Sequence, residues 1–356
     1  MAYTEIDDPS AFFQTKIYAG DNASNLVLTF DGNSDLQPDF LWQKQRGGAT
    51  DHNLVNSVIG ATFGKSSNTD ESEQDNGTTY IKSFQSDGFT IGNSDKVNAS
   101  SSTNVAWAWK AGTSFTNDAS STSIGATDSA GSFNNTAGFS IVSYTGAGGT
   151  STTIKHGLST APRMMIIGNR SADSVDWAVY HEDIGNTHRL YLNLTDVKTD
   201  AIGTFRDTSP TTAIFTVGDH ASVNTSGATY IAYCFAEKKG YSKFGSYIAN
   251  ANVDGAFVYT GFKPAFLLIK NTSQATDWIM YDNKREGYEP QNKEFRANTS
   301  AAERNAEDNN VQFCANGFKL RNAGTKSNAD AGNTLIYMCF AEQPFVTSTG
   351  VPATAR

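Results

Sequence analysis

The residues most able to do chemistry in this 356-residue chain are five histidines, two tryptophan-flanking aspartates and one acidic loop. His181 and His188 frame the segment HEDIGNTH. A zinc-protease helix needs histidines four apart with a glutamate between them. Here the spacing is seven (181 to 188), Gly185 interrupts, and the preceding residues alternate like a strand, so no metal site is expected. His52, His156 and His220 fall in DHN, KHG and GDHAS, which read as solvated loops. Asp176 and Asp277 precede Trp177 and Trp278 and are the pair to consider for glycosidase acid–base work. Their matched positions in two similar stretches favour a turn or strand-end role. The loop Asp31–Asp35 (DGNSD) resembles part of a calcium loop but lacks the full ligand set and terminal glutamate, so it reads as a turn. There is no Gly-x-Ser-x-Gly, no Walker loop and no G-x-G-x-x-G. The expectation is no catalytic residue, no bound metal and no cofactor.

Four landmarks recur in one order and must supply the scaffold. A proline opens an apolar strand at Pro38 (PDFLWQKQR), Pro162 (PRMMIIGNR) and Pro264 (PAFLLIKN). A tryptophan strand follows in the last two copies, DWAVYH and DWIMYD. A phenylalanine strand lies 51 residues after the proline in the first copy (Pro38 to Phe89), 53 in the second (Pro162 to Phe215) and 54 in the third (Pro264 to Phe318). A two-faced apolar strand closes each: NVAWAWKAG, YIAYCFAE and LIYMCFAE. Between the last two landmarks an asparagine recurs at Asn98, Asn224 and Asn328.

This predicts an all-β protein of three tandem homologous β-sandwich or jelly-roll-like units of about 100 residues each. The units run over 1–111, 139–240 and 241–345, with an irregular tail over 346–356. Residues 112–138 hold no Lys, Arg or Glu and only Phe115, Ile124 and Phe133 as large apolar residues, which reads as a linker that those three pin to a neighbour. Apolar residues on both faces of YIAYCFA and VAWAWKA predict central strands. The best short-helix candidate, Thr299–Asn310, is polar all round. The first unit lacks a tryptophan strand and reads differently over 51–60, which makes it the candidate for anchoring. Near-equal unit lengths permit a line or a pseudo-threefold ring.

Composition narrows the function classes. The net charge is −9, from 27 basic and 36 acidic residues, with no basic block, so nucleic acid is not an expected partner. No apolar run approaches the length of a membrane span, and the first residues lack a signal-peptide profile, so no membrane insertion is expected. Three cysteines, two inside apolar runs (Cys234 and Cys339), fit a small buried hydrophobe in a reducing compartment. Asn-x-Ser/Thr occurs at Asn22, Asn98, Asn134, Asn193, Asn224, Asn271 and Asn298, and reads as composition. The five tryptophans sit in strand patterns and read as core, whereas Tyr241 and Tyr288 read as loop platforms for sugar stacking.

IDDPSAFFQTKIYAG, GNSDLQPDFLWQKQR, SDGFTIG with VAWAWKAG, TYIAYCFAEKKGYSKFGSY, and FVYTGFKPAFLLIK closing in YMCFAEQPF resemble a family of uncharacterised virion structural proteins. These belong to tailed bacteriophages of marine bacteria, cyanobacterial phages among them. The resemblance spans about residues 3–345 and brings no catalytic residues. It implies a non-enzymatic protein of the virion exterior, a tail or head fibre or a capsid decoration, folded in the bacterial host cytoplasm. It further implies self-association (a trimer is usual for fibres) and attachment to other virion proteins of the capsid or tail. Host surface glycan is the partner under the alternative reading, a receptor-binding lectin-like adhesin. A glycan depolymerase is the third reading and rests only on the aspartate pair.

Overall fold

The computed structural model describes residues 4–324 and 326–353; the first three residues of the first unit, Thr325 and the last three of the tail lie outside it. The chain is all-β, with a few single-turn helices. It forms three large antiparallel sheets, each faced by a smaller one.

The first large sheet has the strand order Phe13–Ala19, Thr103–Trp109, Phe40–Gln45, Asn53–Asn56, Gly60–Lys65, Gln74–Asp75. The third follows the same plan with Ser242–Ile248, Thr334–Pro344, Phe262–Asn271, Ile279–Asp282, Lys293–Arg296, Arg304–Asn305. The second runs Phe139–Thr145, Thr229–Phe235, Met164–Asn169, Ala178–His181, His188–Tyr191, Thr199–Asp200, with two further strands on its first edge. Those two, Thr113–Asn117 and Ser129–Asn134, come from the stretch read as a linker. Low charge and abundant Ser, Thr and Gly suit an edge hairpin as well as a linker. The Phe115 and Phe133 rings meet edge to face, 5.9 Å apart, and anchor it on the second sandwich's core.

The three two-faced apolar segments are central strands, hydrogen-bonded to a neighbour on each side. One face of each packs against the small sheet of its own sandwich. In the first, Leu41, Val55, Ala106 and Ala108 meet Leu28, Phe89 and Ile91. The layers are unequal, unlike the matched pair of a jelly roll. The other face contributes to one core shared by all three large sheets. At its centre Trp109, Phe235 and Phe340, which are register-equivalent, form a triangle with ring separations of 6.5, 5.6 and 6.0 Å. The three sandwiches therefore close into a ring.

Thr299–Asn310 is not a helix; it holds a turn and the short strand Arg304–Asn305. A helix polar all round has no face to bury. Its charged residues are tied up in ion pairs instead, Glu303 with Arg46 and Arg285 at a mostly buried junction, and Arg304 with Glu294 and Asp308.

Candidate functional site

His52, His181, Asp176 and Asp277 stand at the three junctions of this ring, and the geometry repeats around it. Asp176 accepts from Asn193 Nδ2, and Asn193 Oδ1 accepts from the Trp177 backbone N–H. Asp277 and Asn298 do the same for Trp278. Asp51 and Asn68 do so in the first sandwich, where the residue held is His52. The two aspartates proposed as a catalytic pair thus belong to different sheets, and each is committed to its own asparagine. The segment read as a departure over 51–60 is the missing third copy, with histidine in place of tryptophan.

Each residue held this way reaches into the preceding sandwich. Trp177 Nε1 donates to the Ser66 carbonyl at 2.9 Å and Trp278 Nε1 to the Tyr191 carbonyl at 2.9 Å. His52 Nε2 lies 3.1 Å from the Arg296 carbonyl. Ser66, Tyr191 and Arg296 each precede the paired asparagine by two positions. The other ring nitrogen of His52, Nδ1, accepts from Trp42 Nε1 at 2.8 Å. An indole N–H only donates, so these partners assign a neutral His52 with its proton on Nε2. Burial pushes its pKa down to about 3.

A second set of contacts runs the other way. The last residues of the equivalent strands are Asn56, His181 and Asp282. Each accepts from a backbone N–H of its own turn: Ile59 to Asn56, Asp183 to His181, and Lys284 and Arg285 to Asp282. Each also ties to the following sandwich. Asn56 Nδ2 donates to the Tyr233 hydroxyl, His181 Nε2 faces the Tyr337 carbonyl, and Asp282 accepts from Trp107 Nε1 at 3.0 Å. His181 is fully buried, which pushes its pKa down to about 4.

The closing junction carries charge. Arg285 pairs with both Asp282 and Glu303, and Glu303 takes a two-point contact from Arg46 at 2.8 and 2.9 Å. The Arg285 guanidinium lies over Phe295, 4.6 Å from its centroid. Hydrogen bonds from both arginines hold the Glu303 carboxyl below its ordinary pKa against the effect of burial. Main-chain bonds match around the ring as well: Glu303 N–H to Arg46 O, Glu73 N–H to Arg170 O, and Lys198 N–H to Thr272 O.

Two further triplets hold each sandwich together. The recurring asparagine donates to the carbonyls of Gly92, Gly218 and Asn322 while its oxygen accepts from Asp21, Ala147 and Asn250. Beside it Tyr18, Tyr144 and Tyr247 donate to the Val97, Val223 and Ser327 carbonyls. Sequence reading missed these tyrosines. Their signal was a Tyr one or two residues before Gly or Ala, about 80 positions upstream of the asparagine (|i−j| of 79, 79 and 80 to the bonded carbonyls).

The remaining candidates resolve as follows. His156 is fully buried, bonded to Leu158 N–H and facing the Thr211 carbonyl, and its pKa is pushed down to about 4 by burial. His52 and His156 are therefore core groups and not solvated loop residues. His220 is half-buried and caps a short helix through Ser222 N–H, with the Tyr191 hydroxyl 3.4 Å away. His188 sits at a partly exposed strand start beside Thr187. In the Asp31 loop, Asp31 pairs with Lys16 and Lys284, and Gly32 N–H goes to Gln14. Among the described residues no group of His, Cys, Asp and Glu has metal-binding geometry. Tyr241 is buried between Phe12 and Phe340 and offers no platform, whereas Tyr288 is 66% exposed. Five of the seven glycosylation-type asparagines (98, 193, 224, 271 and 298) are buried.

A cleft of about 210 Å³ lies between the first and third sandwiches. Asp31 and Lys284 stand at it, and Thr15 and Asn283 line it, both nearly fully buried. The Thr15 hydroxyl and Asn283 Oδ1 have no protein partner. It is a polar recess with hydrogen-bonding capacity, lined also by the Glu342 carboxylate, which pairs with Lys263.

The fold and junctions define an all-β protein built as a closed ring of three unequal sandwiches. Over residues 8–344 it matches the family described as a domain of unknown function (DUF7483), and it belongs to that family. No curated protein matches the chain. Among the described residues no helix is long and apolar enough to cross a membrane.

Proposed function

We propose that the chain is a non-enzymatic structural component of a bacteriophage virion exterior, a tail or head fibre or a capsid decoration. The observation that carries this reading is the fate of the reactive side chains. Three of the five histidines, all five tryptophans and both tryptophan-flanking aspartates are spent on holding strands and sandwiches together. A catalyst leaves a base, acid or nucleophile convergent on a cleft; here both carboxylates at the cleft are ion-paired, Asp31 with Lys16 and Lys284 and Glu342 with Lys263. The family resemblance supports the virion setting. Attachment to capsid or tail proteins and self-association, as a trimer in the fibre case, complete the reading.

The test is composition of purified particles. Gradient-purified virions should contain the chain in several copies, accessible to antibody on intact particles. Recovery only from host lysate, with none on particles, would overturn the proposal. The second reading, a host-glycan adhesin, is favoured by the Thr15–Asn283 recess. Glycan-array binding lost in Asn283→Ala would support it.

A further inference from the structure

The three small sheets share a register. Leu28 lies opposite Phe89, Ile154 opposite Phe215, and Val258 opposite Phe318. The strands Leu26–Leu28, Thr152–Lys155 and Phe257–Tyr259 are thus equivalent, and each ends its small sheet. They differ in what covers the outer edge. In the second sandwich the chain covers it itself. Residues 125–129 (GATDS) run along Thr152–Lys155, with a parallel bridge between Thr127 and Ile154. The Thr153 carbonyl accepts from Ala126 and Thr127 N–H, Thr127 Oγ1 meets Thr152 Oγ1 at 2.6 Å, and Ser129 Oγ donates to the Lys155 carbonyl. This segment belongs to the hairpin that only the second sandwich possesses.

In the third sandwich the same edge is open. Ladder bonds at Ala256–Leu320 and Thr260–Asn316 fix the alternation. Val258 turns its backbone inward, so the N–H and C=O of Phe257 and Tyr259 point outward, as those of Thr153 and Lys155 do. No partner meets them among the described residues. The two residues are 48% and 60% exposed, and Val27 on the first sandwich's equivalent strand is 56% exposed. Native sheets blunt such edges with short strands, charge, proline or a covering segment; this edge is short, at three residues, but has no charge, proline or cover at Phe257–Tyr259 among the described residues.

We propose that the outer edge of Phe257–Tyr259 takes an added strand, an extended segment of a partner polypeptide that is uncharged where it pairs and rich in small residues. The covered copy shows the chemistry that fits. The stretch that covers the equivalent edge has small side chains, GATDS, which the bulky Phe257 and Tyr259 of a second copy would not reproduce. Strand addition draws affinity from main-chain bonds, with alternate side chains giving specificity. The proposal stands apart from the virion reading, because it concerns an edge and not where the chain resides.

The test uses the full chain and a capped synthetic peptide of residues 123–131, with amide hydrogen exchange read residue by residue. At a peptide concentration about ten times its dissociation constant, exchange at Phe257 and Tyr259 should slow about tenfold, with Val258 unchanged. Phe257→Pro removes an outward N–H without breaking an internal bond and should abolish the effect. Tyr259→Lys should weaken it and serves if the proline variant does not fold. Unchanged exchange at Phe257 and Tyr259 with about 1 mM peptide, the weak end of measurable affinity, would overturn the proposal. So would protection that survives both variants. Concentration-dependent dimers that vanish in Tyr259→Lys would assign the edge to a second copy and also overturn it.

Discussion

His52 and Trp177 occupy the same place in two different sandwiches, each held at its backbone N–H by an asparagine and each facing a carbonyl of the preceding sandwich through a ring nitrogen. One pattern of bonds has been met with two side chains. Histidine adds an acceptor that tryptophan lacks, and Trp42 Nε1 uses it. His52→Phe keeps an aromatic ring but leaves Trp42 Nε1 unpaired in the core and the Arg296 carbonyl with only the Thr299 N–H. An unsatisfied buried group costs about 1–3 kcal/mol, so the urea midpoint should fall measurably with an unchanged m-value. An unchanged midpoint would show the junction bond to be dispensable.

The recurring asparagine makes a sharper case because it both donates and accepts. Asn224 Nδ2 donates to Gly148 and Gly218 carbonyls while Oδ1 accepts from Ala147. Asn224→Asp replaces the donor by an oxygen facing two carbonyls. A carboxylate there is disfavoured, so its folded-state pKa rises above the unfolded value. Relative to the parent, stability is retained below the ordinary carboxyl pKa and lost as pH rises through the folded value. Thermal melts should show a larger deficit at pH 7 than at pH 4; equal deficits would contradict the assigned geometry.

The buried histidines set the acid limit. His52 has its pKa pushed to about 3, and His156 and His181 to about 4, each chiefly by burial. All three are depressed, so the unfolded chain binds protons first as pH falls below about 6.5. Stability is fully present above that pH and declines progressively towards pH 3–4. Chemical denaturation across this range should show the decline. His181→Asn, which borrows the residue found at the equivalent Asn56, should flatten it; an unaltered slope would contradict the assignment.

The charged junction should respond most strongly. Glu303 is the shared acceptor of Arg46 and Arg285. Glu303→Gln leaves two mostly buried guanidinium groups short of a counter-charge. Removing one partner of a buried ion network costs about 3–5 kcal/mol. Glu303→Gln should lose more than Glu73→Gln at the equivalent junction, where only Arg170 is paired. Equal losses would show that the network adds nothing to the single pair.

Much of this architecture was legible in the sequence because strands advertise themselves by composition. The two-faced apolar runs read as central strands, and Pro, Phe and Asn recur at matched places in the large sheets and the small sheets that face them. The chemistry of the junctions was hidden for a physical reason. Asn56, His181 and Asp282 do one job with three chemistries, as His52 and Trp177 do, so residue identity concealed what position preserved. The hairpin within 112–138 was misread because an edge strand of small polar residues has a linker's composition. His52 and His156 were misread because flanking Gly, Asp and Asn suggest solvent, while the fold folds those turns inward.

The central claim is that these residues are spent on making three sandwiches into one rigid body. Hydrogen exchange followed through a urea titration tests it most directly, reading the central strands Thr103–Trp109, Thr229–Phe235 and Thr334–Pro344 in one experiment. The account predicts that all three lose protection at a single midpoint, and that Trp109→Ala, which opens the shared triangle and costs about 3–5 kcal/mol, lowers it for all three together. A central strand that opens at its own midpoint, or a Trp109→Ala effect confined to the first sandwich, would contradict it.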